Sequence, residues 1–394
     1  MRLGMYGWLA KDLGGCEGGH YLVLKELLLR GHEVDFFTEL TEPPLDHPAF
    51  RVVPLPRRLV TTMGGLHPSG PILHGVDVVT ASIAARRFAK VVEAEHRHRR
   101  YDAFAFMGMM SLWRVPGIPI LAWEQEAPGG EVDALKSIRA LMIELGGRSR
   151  YLMMRTYQTV STIIRMRGHV TPDVLLCGSA WAKEQFVRAG YQPDTIWTVP
   201  YPVDTALFAP ASSEPASEPP MFVHLGRCDP RKRLDLLVAA FRSVRSQLPG
   251  AQLRMIGDPG YFPRILQLFE GERGVDYAPW RPHREISDVL RSAHVLVQTS
   301  QNENFGTAVP EGLCTGLPVV VGPTNGGADY IDECSEVFHD HEPSAVARAM
   351  IKAWRHDTLD RRIARIEHAQ TVFSPSNVAD TFEAALARTR QRGK

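Results

Sequence analysis

A rhythm that stops and then starts again constrains this chain more than any other feature. Short apolar runs at residues 2–6, 33–38, 103–107, 118–123, 174–177 and 196–199 alternate with longer amphipathic stretches. The first of these, residues 20–30, stops at Gly31. Alternation of this kind predicts parallel strands covered by helices. From residue 204 to 220 the periodicity gives way to Ala, Ser, Glu and Pro, including Pro210, Pro215, Pro219 and Pro220, which reads as a linker or solvated loop. The rhythm then resumes with strand 221–225, helix 229–248, strands 252–256 and 295–299, and strand 318–321 behind a further helix. At 394 residues the chain is too long for one ordinary core. The expected architecture is α/β, with two Rossmann-like domains whose parallel sheets face each other across a cleft. Ligands in such sheets bind at the carboxyl ends of the strands.

Charge removes one function class. With 45 basic against 44 acidic residues the net charge is +1, which lacks the basic excess of a general nucleic-acid binder. The five cysteines, Cys16, Cys177, Cys228, Cys314 and Cys334, are scattered, odd in number and form no Cys-x-x-Cys pair. They read as reduced, mostly buried thiols of a cytoplasmic protein. The N-terminus runs straight into a strand-like stretch with no long apolar signal region. No stretch of about 18 apolar residues occurs, so peripheral attachment at the inner membrane face is the one membrane contact left open.

Three segments concentrate chemistry. Directly after strand 221–225 comes Gly226-Arg227-Cys228-Asp229-Pro230-Arg231-Lys232-Arg233. Asp229 reads as an N-cap and Pro230 as the first helical residue. The cations would then crowd the positive end of a helix, where each is disfavoured by roughly 0.3–1 kcal/mol. An anion such as a diphosphate would relieve that crowding, and a solvated basic patch is the plain alternative. The second segment, Glu303-Asn304-Phe305-Gly306-Thr307-Ala308-Val309-Pro310-Glu311, follows strand 295–299. A helix over residues 306–314 would leave the amides of Gly306, Thr307 and Ala308 free for an anion. It would also carry Glu311 far enough to take both hydroxyls of a ribose. A capping carboxylate and an ordinary surface Glu are the plain readings of Glu303 and Glu311. The third segment is the glycine-rich turn Gly14-Gly15-Cys16-Glu17-Gly18-Gly19-His20, which would let backbone approach a ligand. It is neither Gly-x-Gly-x-x-Gly nor a Walker sequence, against a dinucleotide enzyme or an ATPase.

In this order Gly14-Gly15, Gly31-His32-Glu33-Val34, Gly226-Arg227 with Lys232, Glu303-x-Phe305-Gly306 with Glu311-Gly312, and Gly316-Leu317-Pro318-Val319-Val320 resemble the retaining family 4 glycosyltransferases of the GT-B fold. The likeness is tight over residues 176–335 and loose over 45–170. It implies an acceptor-binding domain at 1–203, a nucleotide-sugar-binding domain at 204–375, and a C-terminal helix, 376–394, returning to the first. By the same resemblance Arg227 and Lys232 hold the donor diphosphate and stabilise the departing charge. Glu303 holds the sugar hydroxyls, Glu311 the ribose, and Phe305, Gly306, Thr307 and Ala308 line the phosphates. Gly15 closes over the phosphates from the N-terminal side, and the loop Pro279-Trp280-Arg281-Pro282 reads the base. The implied reaction transfers a sugar, a hexose, from a nucleotide-diphosphate sugar to an acceptor hydroxyl with retention. The acceptor would be a saccharide, a lipid-linked or a small molecule, and no cofactor takes part. Asp-x-Asp is absent from the chain, which fits independence from metal. His96/His98 and His339/His341 read as solvated helix surface and loop rather than metal ligands.

The chain departs from the family on the acceptor side. Where many members carry a histidine after the strand at 118–123, this chain reads Ala122-Trp123-Glu124-Gln125-Glu126, with Gln125 in the histidine's place. Glu124 and Gln125 are the acceptor-side candidates. The rival readings are a phosphorylase or epimerase of the same fold and a catalytically silent binding protein. Neither an epimerase's acid/base set nor a Schiff-base lysine stands out, and the intact Arg227, Lys232, Glu303 and Glu311 oppose silence. Residues 137–167 are apolar and basic together, read either as core-facing helices with a solvated basic face or as an interfacial surface for a membrane-borne acceptor.

Overall fold

The structure is a computed structural model that describes residues 1–7, 9, 15–39, 45–56, 71–108, 111–168, 170–211, 219–260 and 262–392. Gly14 of the glycine-rich stretch and Pro215 of the linker lie outside these residues. The chain divides into two units, one of Met1–Asp133, Leu152–Pro202 and Pro375–Lys394, the other of Ala134–Tyr151 and Val203–Ser374.

The first unit holds β1 (Arg2–Gly7), α1 (Gly15–Leu29), β2 (Glu33–Thr38), β3 (Phe50–Pro54), α2 (Pro71–Arg99), β4 (Ala103–Met107) and β5 (Ile120–Trp123). After α3 (Gly130–Ser137) and α4 (Arg139–Gly168) come β6 (Val174–Cys177), α5 (Ala180–Arg188) and β7 (Ile196–Thr198). Its seven strands are ordered β3-β2-β1-β4-β5-β6-β7, and each recorded pairing is parallel. Aromatic rings fill one face of this sheet, where Trp113 sits 5.0 Å from Tyr6 and 4.8 Å from Phe106. Strand β3 and helix α2 fall in the stretch where the sequence carries no clear period.

The second unit holds β8 (Met221–Leu225), α6 (Leu234–Gln247), β9 (Gln252–Ile256), β10 (Val275–Ala278), α7 (His283–Ser292) and β11 (Val295–Gln298). It continues through α8 (Ala308–Thr315), β12 (Val319–Val321), β13 (Glu336–Val337), α9 (Pro343–His356) and α10 (Leu359–Val372). Helix α11 (Pro375–Arg392) packs in the first unit, against α1 and β5. The second sheet runs β10-β9-β8-β11-β12-β13, again parallel. Its centre is built from runs such as Val295-Leu296-Val297 of β11, buried on both faces, as a parallel sheet between helices requires.

Strand order reverses beside β1 and β4 in the first sheet and beside β8 and β11 in the second. Crevices for ligands open at such switch points, beyond the carboxyl ends of the strands. The segment from residue 204, expected to be a linker or solvated loop, is pinned at its start. Phe208 is buried, and Leu207 O accepts from Ser287 Oγ at 2.9 Å and from Arg291 Nη2 at 2.6 Å. The pair Leu207-Phe208 in a stretch of Ala, Ser, Glu and Pro gave too little periodicity to reveal this.

Candidate functional site

The switch point of the second sheet gathers the basic segment and the first glutamate. The expected single helix over residues 229–248 is broken. Asp229 does cap a turn, its carboxylate accepting from Arg231 N at 2.9 Å, but Pro230–Lys232 forms one 3-10 turn. Arg233 then turns left-handed, with φ 52°, and α6 starts only at Leu234. Arg233 is stabilised there by its own fork on Asp235, at 3.0 Å, a local pairing that propensity alone does not reveal. The break serves the site. Thr299 Oγ1 donates to Lys232 O at 2.8 Å and Gln301 N to Arg231 O at 2.8 Å, tying the basic turn to the end of β11.

Lys232 consequently meets Glu303, its ammonium donating to Oε2. Burial alone would raise the Glu303 carboxyl, yet the Lys232 and Arg231 charges outweigh it and hold the group below its ordinary range. Arg227 is nearly half exposed, and among the described residues it pairs with Asp229, at 3.7 Å. A ligand anion would compete with little there.

The Glu303 backbone is equally fixed. It bridges Asn325, with Glu303 N donating to Thr324 O at 2.9 Å and Gly326 N to Glu303 O at 2.8 Å. Gly306 has φ 71°, and a Cβ there would lie 3.0 Å from Asn325 Oδ1. That dihedral is not helical, so α8 starts at Ala308 rather than at the expected residue 306. The first-turn amides of a helix lack acceptors within it, and Pro310 in that turn forfeits no internal bond. The ring of Phe305 is buried, 5.5 Å from Tyr330 and 6.3 Å from Phe373, which leaves its backbone as the part that could line a phosphate.

Glu311, the fourth residue of α8, is buried, and burial pushes its carboxyl up to about 8. The carboxylate accepts no hydrogen bond among the described residues, and His283 Nε2 stands 3.9 Å away. A buried carboxylate without donors is costly unless something supplies them. Arg281, in the loop between β10 and α7, is half exposed and lies 3.7 Å from Glu285. Trp280 N beside it donates to Asp258 Oδ1 at 3.2 Å.

Sequence reasoning missed two histidines here. His283 is the first residue of α7. His224 is a polar residue inside the buried strand β8, which is the signal that could have found it. Its Nδ1 lies 3.0 Å from Val297 O, an acceptor only, so the proton sits on Nδ1. Burial, helped by the Lys232 charge, drives its pKa down to about 4.

At the switch point of the first sheet the glycine-rich stretch is not a turn. Residues 15–19 form the start of α1, held to the core by Val23, Leu24, Leu27 and Leu28 despite the helix-weakening glycines. Gly15 opens that helix with φ 82°. Gly108, after β4, has φ 80°, and a Cβ on it would fall 2.8 Å from His20 Cε1 and 3.0 Å from Gln125 Nε2. Gln125 donates to Cys16 Sγ, whose thiol is pushed far up by burial and by neighbouring Glu17. Glu124 is buried beside Trp123. No histidine follows β5, as the sequence indicated, but α1 delivers one to the same place. His20 is buried between Trp123 and Tyr201, with ring centroids 5.2 and 5.5 Å away.

The five cysteines are free, four of them buried. Among the described residues no group of three or more His, Cys, Asp or Glu is arranged to hold a metal. His96 closes the end of α2 by accepting from Tyr101 N at 3.0 Å. No described helix is long and apolar enough to cross a membrane.

Residues 208–370 match the family described as Glycosyl transferases group 1. Over 185 residues the chain is 29% identical to a phosphatidylinositol N-acetylglucosaminyltransferase polypeptide of Arabidopsis thaliana, covering 46% of this chain and 41% of that protein. The chain spans about two fifths of the length of the first curated relatives it matches. Among solved structures it is similar to a sucrose-phosphate synthase of Thermosynechococcus elongatus, with TM-score 0.70 at 16% identity and 98% of both chains covered. It is also similar to Anabaena HepE in complex with UDP and glucose, with TM-score 0.63 at 13% identity, covering 98% of this chain and 99% of that one. The fold is that of the GT-B glycosyltransferases, two parallel sheets each with its helices.

Proposed function

We propose, from a GT-B fold whose second sheet lies within a group 1 glycosyltransferase segment, that this protein is a retaining, metal-independent glycosyltransferase of family 4. It moves a hexose from a nucleotide-diphosphate sugar to an acceptor hydroxyl. The observation that carries the reading is the Lys232–Glu303 pair at the switch point of β8 and β11, with Arg227 nearly unengaged beside it. A donor diphosphate would draw Lys232 and Arg227 to its oxygens, releasing Glu303 to accept from the sugar hydroxyls. The bond from the anomeric carbon to phosphate oxygen then breaks while the acceptor oxygen bonds to the same face of that carbon. The acceptor's proton passes to the leaving phosphate, and the two cations stabilise the growing negative charge. Glu311, which accepts no hydrogen bond among the described residues, takes the ribose hydroxyls. The amides from Gly306 to Ala308 face the phosphates, and the loop around Arg281 reads the base. Glu124 and Gln125 serve the acceptor. The UDP named for the Anabaena protein supports a nucleotide donor, and the phosphatidylinositol named for the Arabidopsis relative favours a lipid-linked acceptor. We accordingly place the enzyme in the cytoplasm, with peripheral contact at the inner membrane face.

The test is turnover of nucleotide sugars by chelator-treated protein, with the anomeric configuration of the product read by NMR. Wild type should be as active with chelator as with magnesium. Lys232→Ala, checked to be folded by circular dichroism, should lose roughly a hundredfold or more in kcat. Activity that vanishes with chelator, or a Lys232→Ala variant of undiminished turnover, would overturn the reading.

A further inference from the structure

Helix α4 does not behave as one element. It kinks at Gly147, with φ 82°, and the chain passes from the second unit to the first between Tyr151 and Leu152. Before that point it is a core helix, with Leu141, Met142, Leu145 and Tyr151 buried. Beyond it the core-facing expectation fails. Leu152, Met153, Val160, Ile163 and Met166 are 39% to 49% exposed, five of the nine exposed large apolar side chains among the described residues. At 100° per residue these five fall within one arc of about 140°, with Thr156 and Thr159 inside it. Arg148 and Arg155, both exposed, lie along one edge of the arc. Between Glu144 and Asp173 the sequence has five arginines and no carboxylate, in a chain balanced overall at 45 basic and 44 acidic residues.

We infer that the α4 segment from Leu152 to Met166 is a docking surface for an anionic lipid bilayer, its apolar stripe entering the headgroup boundary and its arginines meeting lipid phosphates. Apolar area plus attraction to anionic lipid is the combination that holds a helix in the interface plane. A second copy of the chain fits the face less well. Pairing the stripe with itself would bring arginine edges of like charge together. Five side chains also fall short of the roughly 20–30 residues a side of a stable interface. The inference deepens the peripheral contact proposed above, and its test is independent of catalysis.

The intact protein is floated with vesicles of phosphatidylcholine alone and with vesicles rich in phosphatidylglycerol, in the absence of any nucleotide sugar. Wild type should float with the anionic vesicles and stay behind with the neutral ones. The triple variant L152S/V160S/I163S, on exposed positions, should lower partition by roughly tenfold or more. R148Q/R155Q should lower it by roughly fivefold for each arginine lost. Circular dichroism and melting of both variants should match wild type. The inference is overturned if wild type does not float, or if flotation is the same for both lipids and unaffected by the variants. It is also overturned if the triple variant turns a dimer into a monomer by light scattering while flotation stays unchanged. Flotation without turnover would leave the surface standing and remove the catalytic reading; turnover on a soluble acceptor without flotation would do the reverse.

Discussion

Glu311 illustrates what a single residue carries. Its carboxyl lies on an eight-residue helix, buried, and its pKa is raised to about 8 by that burial. A carboxyl whose pKa rises on folding contributes its full stability below its ordinary value near 4.5 and withdraws it as pH climbs through about 8. The unliganded protein should therefore weaken over that window. Glu311→Gln cannot ionise and should melt like wild type near the acid end. It should be more stable by an amount on the order of 5 kcal/mol at about pH 9. Thermal melts of both proteins across the range decide this, and a difference that does not grow with pH would mean that water or a neighbour already satisfies the carboxylate. The Glu303 carboxyl, only eight positions earlier, goes the other way because Lys232 and Arg231 stand beside it. The sequence pattern pairs these two glutamates, but their opposite environments are decided by what packs around them.

At the scale of elements, the loop from Glu303 to Thr307 is held by its parallel bridge to Asn325 and by the left-handed backbone of Gly306. Gly306→Ala would add the strain of that backbone, about 1–2 kcal/mol, and a Cβ only 3.0 Å from Asn325 Oδ1. We expect the melting temperature to fall by several degrees and the affinity for a nucleoside diphosphate to fall roughly tenfold, since the amides that follow would be displaced. Calorimetric titration of the variant measures the second effect, and unchanged affinity would show that the loop takes no part in holding phosphate. The basic turn teaches a related lesson. Asp229 and Pro230 correctly announced a helical start, but the left-handed Arg233 split that start from α6. Two consecutive caps four residues apart read in sequence as one long helix.

For the molecule as a whole, the last helix belongs to the first unit. Phe382 of α11 lies 5.7 Å from Trp123, and Val378, Ala379, Ala385 and Leu386 are buried with it. Arg30 reaches Asp380 at 2.6 Å and Glu383 at 2.7 Å, and His32 meets Glu383 at 2.5 Å. Losing that buried apolar surface would cost about 5–10 kcal/mol, comparable with the whole stability of a domain. A chain ending at Ser374 should thus lose hydrogen-exchange protection in β1 and α1 while β8, β9 and β11 keep theirs. Retained protection in α1 would mean that the first unit folds without the helix.

The strand-and-helix rhythm, its restart after residue 220 and the order of Arg227, Lys232, Glu303 and Glu311 were legible in the sequence. Each depends on local periodicity or on residues close in the chain, where sequence spacing maps directly onto a strand end or a helix turn. Strand β3, helix α2 and the pinned residues around Phe208 were not legible, because their support comes from distant partners. Tertiary structure alone decided that Phe305 turns into the core, that His20 of α1 arrives beside Gln125, and that His224 lies buried beneath the basic turn. It also decided that α4 is core up to Tyr151 and bare beyond Leu152, since the same mixture of apolar residues and arginine suits either face. Burial belongs to what packs against a residue, and in a parallel sheet those neighbours come from strands far apart in the chain.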